Sequence, residues 1–128
     1  MAVPTTVITR DISDADGSLI EYHWSLTTAN PTGASIQFPE WADRTVTVIG
    51  TNWGGATFVL EGGPEDTTFL TLKDASDPAT ATITATVGNL QAVVFDLPRY
   101  MRARLSVVGT AAVIEVYMLL RRAHRLRA

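Results

Sequence analysis

The sequence predicts an all-β chain, an antiparallel two-sheet β-sandwich with a jelly roll as the leading topology. Three observations predict it. Apolar and polar residues alternate with period two over most of the chain, the spacing of a half-buried strand. Turn residues interrupt that alternation about every 8 to 12 residues. Helix caps followed by apolar residues at 3.6 spacing are missing throughout. Eight to ten strands in 128 residues imply two packed sheets.

The first clear strand is Leu19 to Thr27, with Ile20, Tyr22, Trp24 and Leu26 on one face and Glu21, His23, Ser25 and Thr27 on the other. Residues 28–44 read as a loop carrying one short strand at Ala34 to Phe38. Thr45 to Ile49 alternates threonine with valine and stops at Gly50. Ala56, Phe58 and Leu60 then face opposite to Thr57, Val59 and Glu61, and Leu70 and Leu72 continue the series. Ala81 to Val87 is a threonine-rich strand, suited to extended backbone because the branched Cβ fits a pleated surface. Leu90 to Leu97 is more continuously apolar and is expected to be buried on both faces or to lie under a loop. Arg99 to Val107 places Met101, Ala103, Leu105 and Val107 inward and Arg102, Arg104 and Ser106 outward. Ala111 to Leu120 is read as a strand because Val113, Ile114, Val116 and Tyr117 outweigh the helix formers. Turns are expected at Asp16-Gly17, Asn30-Pro31, Gly54-Gly55, Gly62-Gly63-Pro64, Asp77-Pro78, Gly88-Asn89, Leu97-Pro98 and Gly109-Thr110.

One domain is expected over residues 1–120, followed by a basic tail, 121–128. At 46% hydrophobic and 18% charged, the chain has material for a packed core. There is no run long enough to span a bilayer and no secretory signal at the N-terminus, so the expectation is a protein made in the cytoplasm, without a membrane partner. Cysteine is absent, which removes disulfides, thiolate metal sites and thiol nucleophiles. Residues 1–120 hold thirteen acidic against six basic side chains, a net of −7, while Arg121, Arg122, Arg125 and Arg127 give the tail +4. Such a tail suits docking on an acidic protein surface, or it is a solubilising end. Nucleic acid is an unfavoured partner because the body lacks a basic face.

No residue pattern points to catalysis, and no cofactor or metal is expected. Asp11, Asp14 and Asp16 before Gly17 suggest half a calcium loop, but its first and last positions would be Ile12 and His23. His23 and His124 are too few and too far apart for a metal site. Serine elbows and phosphate-binding glycine loops are absent. The candidates are instead contact residues. Trp24 is in phase with the core face. Trp41 and Trp53 lie in predicted loops and are open to three roles: loop anchor, protein interface or sugar platform. Arg99, Arg102 and Arg104 form a row that either pairs with Glu61 or Glu115 across strands or meets acidic groups on a neighbouring subunit.

Residues 50–107 resemble a pattern found in small structural proteins of tailed phages. The elements are Gly55 to Thr57, Leu60 to Gly62, Thr71 to Asp74, the threonine-rich Thr80 to Thr86, and Pro98 to Arg102. The chain departs from that pattern at Gly63-Pro64-Glu65 and in its arginine-rich tail. The resemblance implies a jelly-roll capsid cement or decoration protein that bridges copies of the major capsid protein on the virion, itself as a dimer or trimer. Head–tail adaptor or tail roles, and a carbohydrate-binding sandwich for host recognition, are the alternatives.

Overall fold

The computed structural model describes residues 8–11, 19–37, 41–65, 67–77, 79–96 and 98–122. They form ten strands: Ile8–Asp11 (β1), Leu19–Thr27 (β2), Ile36–Gln37 (β3), Trp41–Asn52 (β4), Thr57–Glu65 (β5), Thr68–Thr71 (β6), Thr84–Ala85 (β7), Leu90–Val93 (β8), Tyr100–Val107 (β9) and Val113–Arg122 (β10). All pairings are antiparallel. One sheet runs β1-β2-β10-β4-β8; the other runs β3-β9-β5-β6, with β7 also paired to β5.

That order is a jelly roll. The chain folds back so that β2 pairs with β10, β3 with β9, β4 with β8, and β5 with β6 and β7. Successive pairs then alternate between the two layers, as a long two-armed ribbon must when it is rolled up.

The period-two pattern decides which side chains enter the space between the sheets. From one layer come Trp24, Leu26, Val46, Val48, Ile114, Val116, Met118 and Leu120; from the other come Phe58, Leu60, Met101, Ala103 and Leu105. Fully burying each large apolar side chain contributes about 1.5–3 kcal/mol, so this interlayer set is the main source of stability. Trp24 buries its indole here and donates from Nε1 to the Ala34 carbonyl at 2.8 Å, which ties the β2–β3 connection over the core. Leu72 and Ile83 close one side. Leu72 N–H donates to Leu60 O, Ile83 N–H to Leu72 O, and Leu60 N–H to Ile83 O, so three segments meet where β6 and β7 are too short to continue.

Several expected elements shift. The strand expected at Thr45 begins at Trp41, inside the predicted loop, because Arg44 continues inward in phase with Val46 and Val48. The threonine-rich strand is only Thr84–Ala85, since β5 offers it just Phe58 and Val59 as partners, although Ile83 is buried and its threonine neighbours are exposed as expected. Leu90 to Leu97 is not buried on both faces. It is edge strand β8 and its extension, with Ala92 and Val94 inward and Val93 and Phe95 exposed. Val107 is exposed where β9 runs past the core, and Leu70 is exposed on the two-sided edge of β6. The last strand runs on through Arg122: Arg121 pairs with Leu19 and Asp43, and Arg122 with Trp41, so the first two tail arginines belong to the sheet. Phe38, Asp14 and Asp16 lie outside the described residues.

Candidate docking surfaces

In a jelly roll, alternate connections gather at the same end. Here β2–β3, β4–β5, β7–β8 and β9–β10 meet at one end of the sandwich. The sequence is divided accordingly: residues 24–39, 45–60, 78–95 and 105–114 contain no Asp, Glu, Lys or Arg. The charged residues among those described fall instead on the mid-faces and away from this end. The charge-free end exposes Val87 (80%), Val107 and Val108, with Ile49 and Val113 beside them at the adjoining strand ends.

These connections are tied to one another. Thr28 Oγ1 donates to Val108 O at 3.0 Å and accepts from Ala112 N at 2.9 Å, joining the β2–β3 and β9–β10 loops. Thr110 N donates to Gly54 O at 2.9 Å, and Asn52 Nδ2 to Ala111 O at 2.8 Å, joining β4–β5 to the same loop. Gly50 N donates to Asn89 Oδ1 at 3.1 Å, which adds the β7–β8 loop. Gly54 has a φ of +55°, and a Cβ there would lie 2.0 Å from Thr110 O, so both its conformation and its close approach need glycine. The result is a fixed, uncharged platform.

Trp53 serves that platform from beneath. Its ring lies against Gly50, where a Cβ would sit 2.3 Å from Nε1, and packs onto the core. Nε1 is buried without a hydrogen-bond partner among the described residues. Trp53 is thus half-buried, packed between the β4–β5 connection and the core. Trp41 is the first residue of β4, not a loop residue, paired with Arg122.

The outer face of the second sheet carries the arginine row. Arg102 is the cross-strand neighbour of Glu61, and Arg104 that of Val59. Glu61, only 5% exposed, accepts from Arg102 Nε at 3.0 Å, Arg104 Nε at 3.0 Å and Arg104 Nη2 at 2.6 Å. Burial by itself would push the Glu61 carboxyl up. The hydrogen bonds from Arg104 and Arg102, with their charges, outweigh that and hold it below the usual carboxylate range. The same Glu61 hydrogen bond raises Arg104. The Arg102 guanidinium also stacks on Phe69, 3.9 Å from the ring centroid. Arg99 lies over Tyr100 at 5.6 Å, and with the Gln37 amide turned to suit, Arg99 donates from Nε to its oxygen at 2.9 Å. Of the two expected cross-strand carboxylates, Glu61 meets the row and Glu115 does not.

Glu115 lies on the other sheet, where it accepts from Ser25 Oγ at 2.9 Å and bonds His23 Nε2. His23 stacks on Tyr117 with ring centroids 4.4 Å apart. The carboxylate thus sits between serine and histidine, whereas a Ser-His-Asp relay has the histidine between serine and carboxylate. Among the described residues no group of three or more His, Cys, Asp and Glu could hold a metal.

Arg44 was missed by sequence reasoning. It is 2% exposed between the sheets, donates to Asp96 O at 3.3 Å, and burial pushes its guanidinium down to about 10. Its phase with Val46 and Val48 is the signal that could have found it. The uncharged end was also missed, and it was readable as four charge-free segments once the turns were assigned. Arg125 and Arg127 lie outside the described residues.

No family model matches the chain, and no curated protein matches it. Among solved structures it is similar to the CBM22-1–GH10 modules of the N-terminal endo-1,4-beta-D-xylanase 10B of Clostridium thermocellum, a structure complexed with xylohexaose. The identity is 10% and the TM-score 0.39 over 100% of this chain and 26% of that one. The chain thus spans about a quarter of that protein's length, and a likeness this slight carries no argument about function.

Proposed function

We propose that this chain is a structural docking protein of a tailed-phage particle, a capsid cement protein that binds and bridges major capsid subunits. The observation that carries the docking role is the fixed, charge-free end of the sandwich with its exposed valines. Interface centres are depleted of charged residues because each buried charge must be desolvated or paired. An uncharged end held by loop-to-loop hydrogen bonds meets that condition, and little ordering entropy is lost when it docks. The phage assignment rests on the resemblance of residues 50–107 to small virion proteins of jelly-roll fold.

On a shell, each copy makes modest contacts, and many copies act together through the lattice they bridge. A dimer or trimer of the chain adds contacts in the same way. The arginines at the C-terminal end of the sequence, Arg121, Arg122, Arg125 and Arg127, supply charge complementarity to an acidic neighbour.

Density mapping of particles with and without the protein tests the proposal. Density at capsomer junctions over the whole shell supports the cement role. Density confined to one vertex or the tail replaces it with an adaptor or tail role, and no density on the particle overturns it.

A further inference from the structure

A second surface has different chemistry and does not depend on the docking role of the uncharged end. The outer face of β9 presents Arg102 and Arg104, with Arg99 one residue before the strand. Arg102 and Arg104 face outward because Met101, Ala103 and Leu105 take the alternate, buried positions, and Arg99 reaches the same side through Tyr100 and the Gln37 amide. Among the described residues of this region, Arg99, Arg102 and Arg104 outnumber the β5 carboxylates Glu61 and Glu65. That contrasts with the −7 of residues 1–120 as a whole.

The geometry of Arg102 is specific. Glu61 engages only its Nε, and Phe69 covers one face of its guanidinium. Its two terminal nitrogens have no hydrogen-bond partner among the described residues. They form a planar, two-pronged donor edge whose orientation is already set from below by a carboxylate and from the side by a ring. A group with two coplanar acceptor oxygens fits such an edge. Arg104 keeps Nη1 beyond its two bonds to Glu61, and Arg99 is exposed over Tyr100, the residue two positions before Arg102.

We infer that the Arg99–Arg102–Arg104 face is a binding site for a carboxylate-rich segment of a partner protein. Charge complementarity selects the occupant. Three guanidiniums on one face attract a short acidic segment, whereas a long polyanion such as nucleic acid would also have to lie against the acidic remainder of the domain. Glu61 is a positioning residue: it sets the direction of Arg102 and Arg104 and leaves their outer nitrogens for the ligand.

The test is titration of the full chain with a hexaglutamate peptide at low salt, with hexaglutamine and a short single-stranded DNA of equal charge as comparisons. The expected result is salt-sensitive binding of hexaglutamate, none of hexaglutamine, and weaker binding of the DNA. Arg102→Gln should weaken hexaglutamate binding by about tenfold or more, the loss of one charged, two-pronged hydrogen bond. Arg102→Lys, which keeps the charge without the planar edge, should retain part of the affinity. Arg99→Gln leaves the Glu61 cluster intact, so it tests the face even where Arg102→Gln unfolds. Equal hexaglutamate affinity in Arg99→Gln and the parent, no binding by the parent, or preference for the DNA each overturns the inference.

Discussion

Replacing Glu61 with glutamine tests how the arginine row is held. The substitution keeps the volume and one acceptor oxygen, but it removes the negative charge and turns an amide NH2 toward guanidinium N–H groups. Three hydrogen bonds reach this carboxylate, two of them from Arg104. A hydrogen bond to a charged group is worth about 1.5–3 kcal/mol, and glutamine loses at least one outright and the charge assistance of the others. The Arg102 and Arg104 side chains are 26% and 31% exposed, so water compensates part of the loss. The net destabilisation expected is about 2 kcal/mol. A chain of 128 residues unfolds with an entropy of about 0.27 kcal/mol/K, so the melting temperature should fall by about 7 °C at pH 7. The pH dependence has a definite sign. A carboxylate whose pKa is lower folded than unfolded stabilises fully above the unfolded value, about 4.3, and the stabilisation is lost as pH falls through the folded value. The gap between parent and variant in thermal melts should therefore be full at pH 7 and narrow below about pH 4. Equal melting temperatures at pH 7, or a gap that stays constant into the acid range, would refute the reasoning.

At the uncharged end, Val87→Asp combined with Val108→Asp should leave the thermal melt within about 1 kcal/mol of the parent, since both valines are exposed, yet abolish attachment in a particle-binding assay. Retained attachment would remove this end from the interface. Arg44→Ala should cost at least about 2–4 kcal/mol in urea melts through the cavity it leaves. Gly54→Ala should cost about 1–3 kcal/mol in the same assay, because it places a Cβ on the Thr110 carbonyl at a positive φ.

Period-two alternation was enough to orient β2, the start of β5 and β9, because their inward positions hold unambiguous residues such as Trp24, Phe58 and Met101, whereas β10 was legible only as a strand. It misjudged elements whose partners run out. Alternation around Thr84 continues over seven residues, but β5 offers a short ledge, so most of that stretch has no ladder to join. Apolar density misled at Val93 and Phe95, because whether a strand is central or at an edge depends on what pairs with its far side. Arg44 was hidden for the opposite reason: a charged residue reads as surface until the neighbouring strand places it between two layers.

For the candidate surfaces, the sequence by itself determined the fold class, the absence of thiol chemistry, and the charge-free segments, since each is carried by residue type and local spacing. The arginine row was legible as a row, and Glu61 as one of its two possible partners. Only the tertiary structure decided that four separate uncharged loops share one end, that Trp53 packs between the β4–β5 connection and the core, and that Glu61 rather than Glu115 sets the arginines. Those outcomes follow from how the ribbon rolls, which brings together residues such as Thr28 and Val108, or Glu61 and Arg104, that are more than forty positions apart. Local propensity acts over a few residues, and contacts at that separation form only when both sheets are in place.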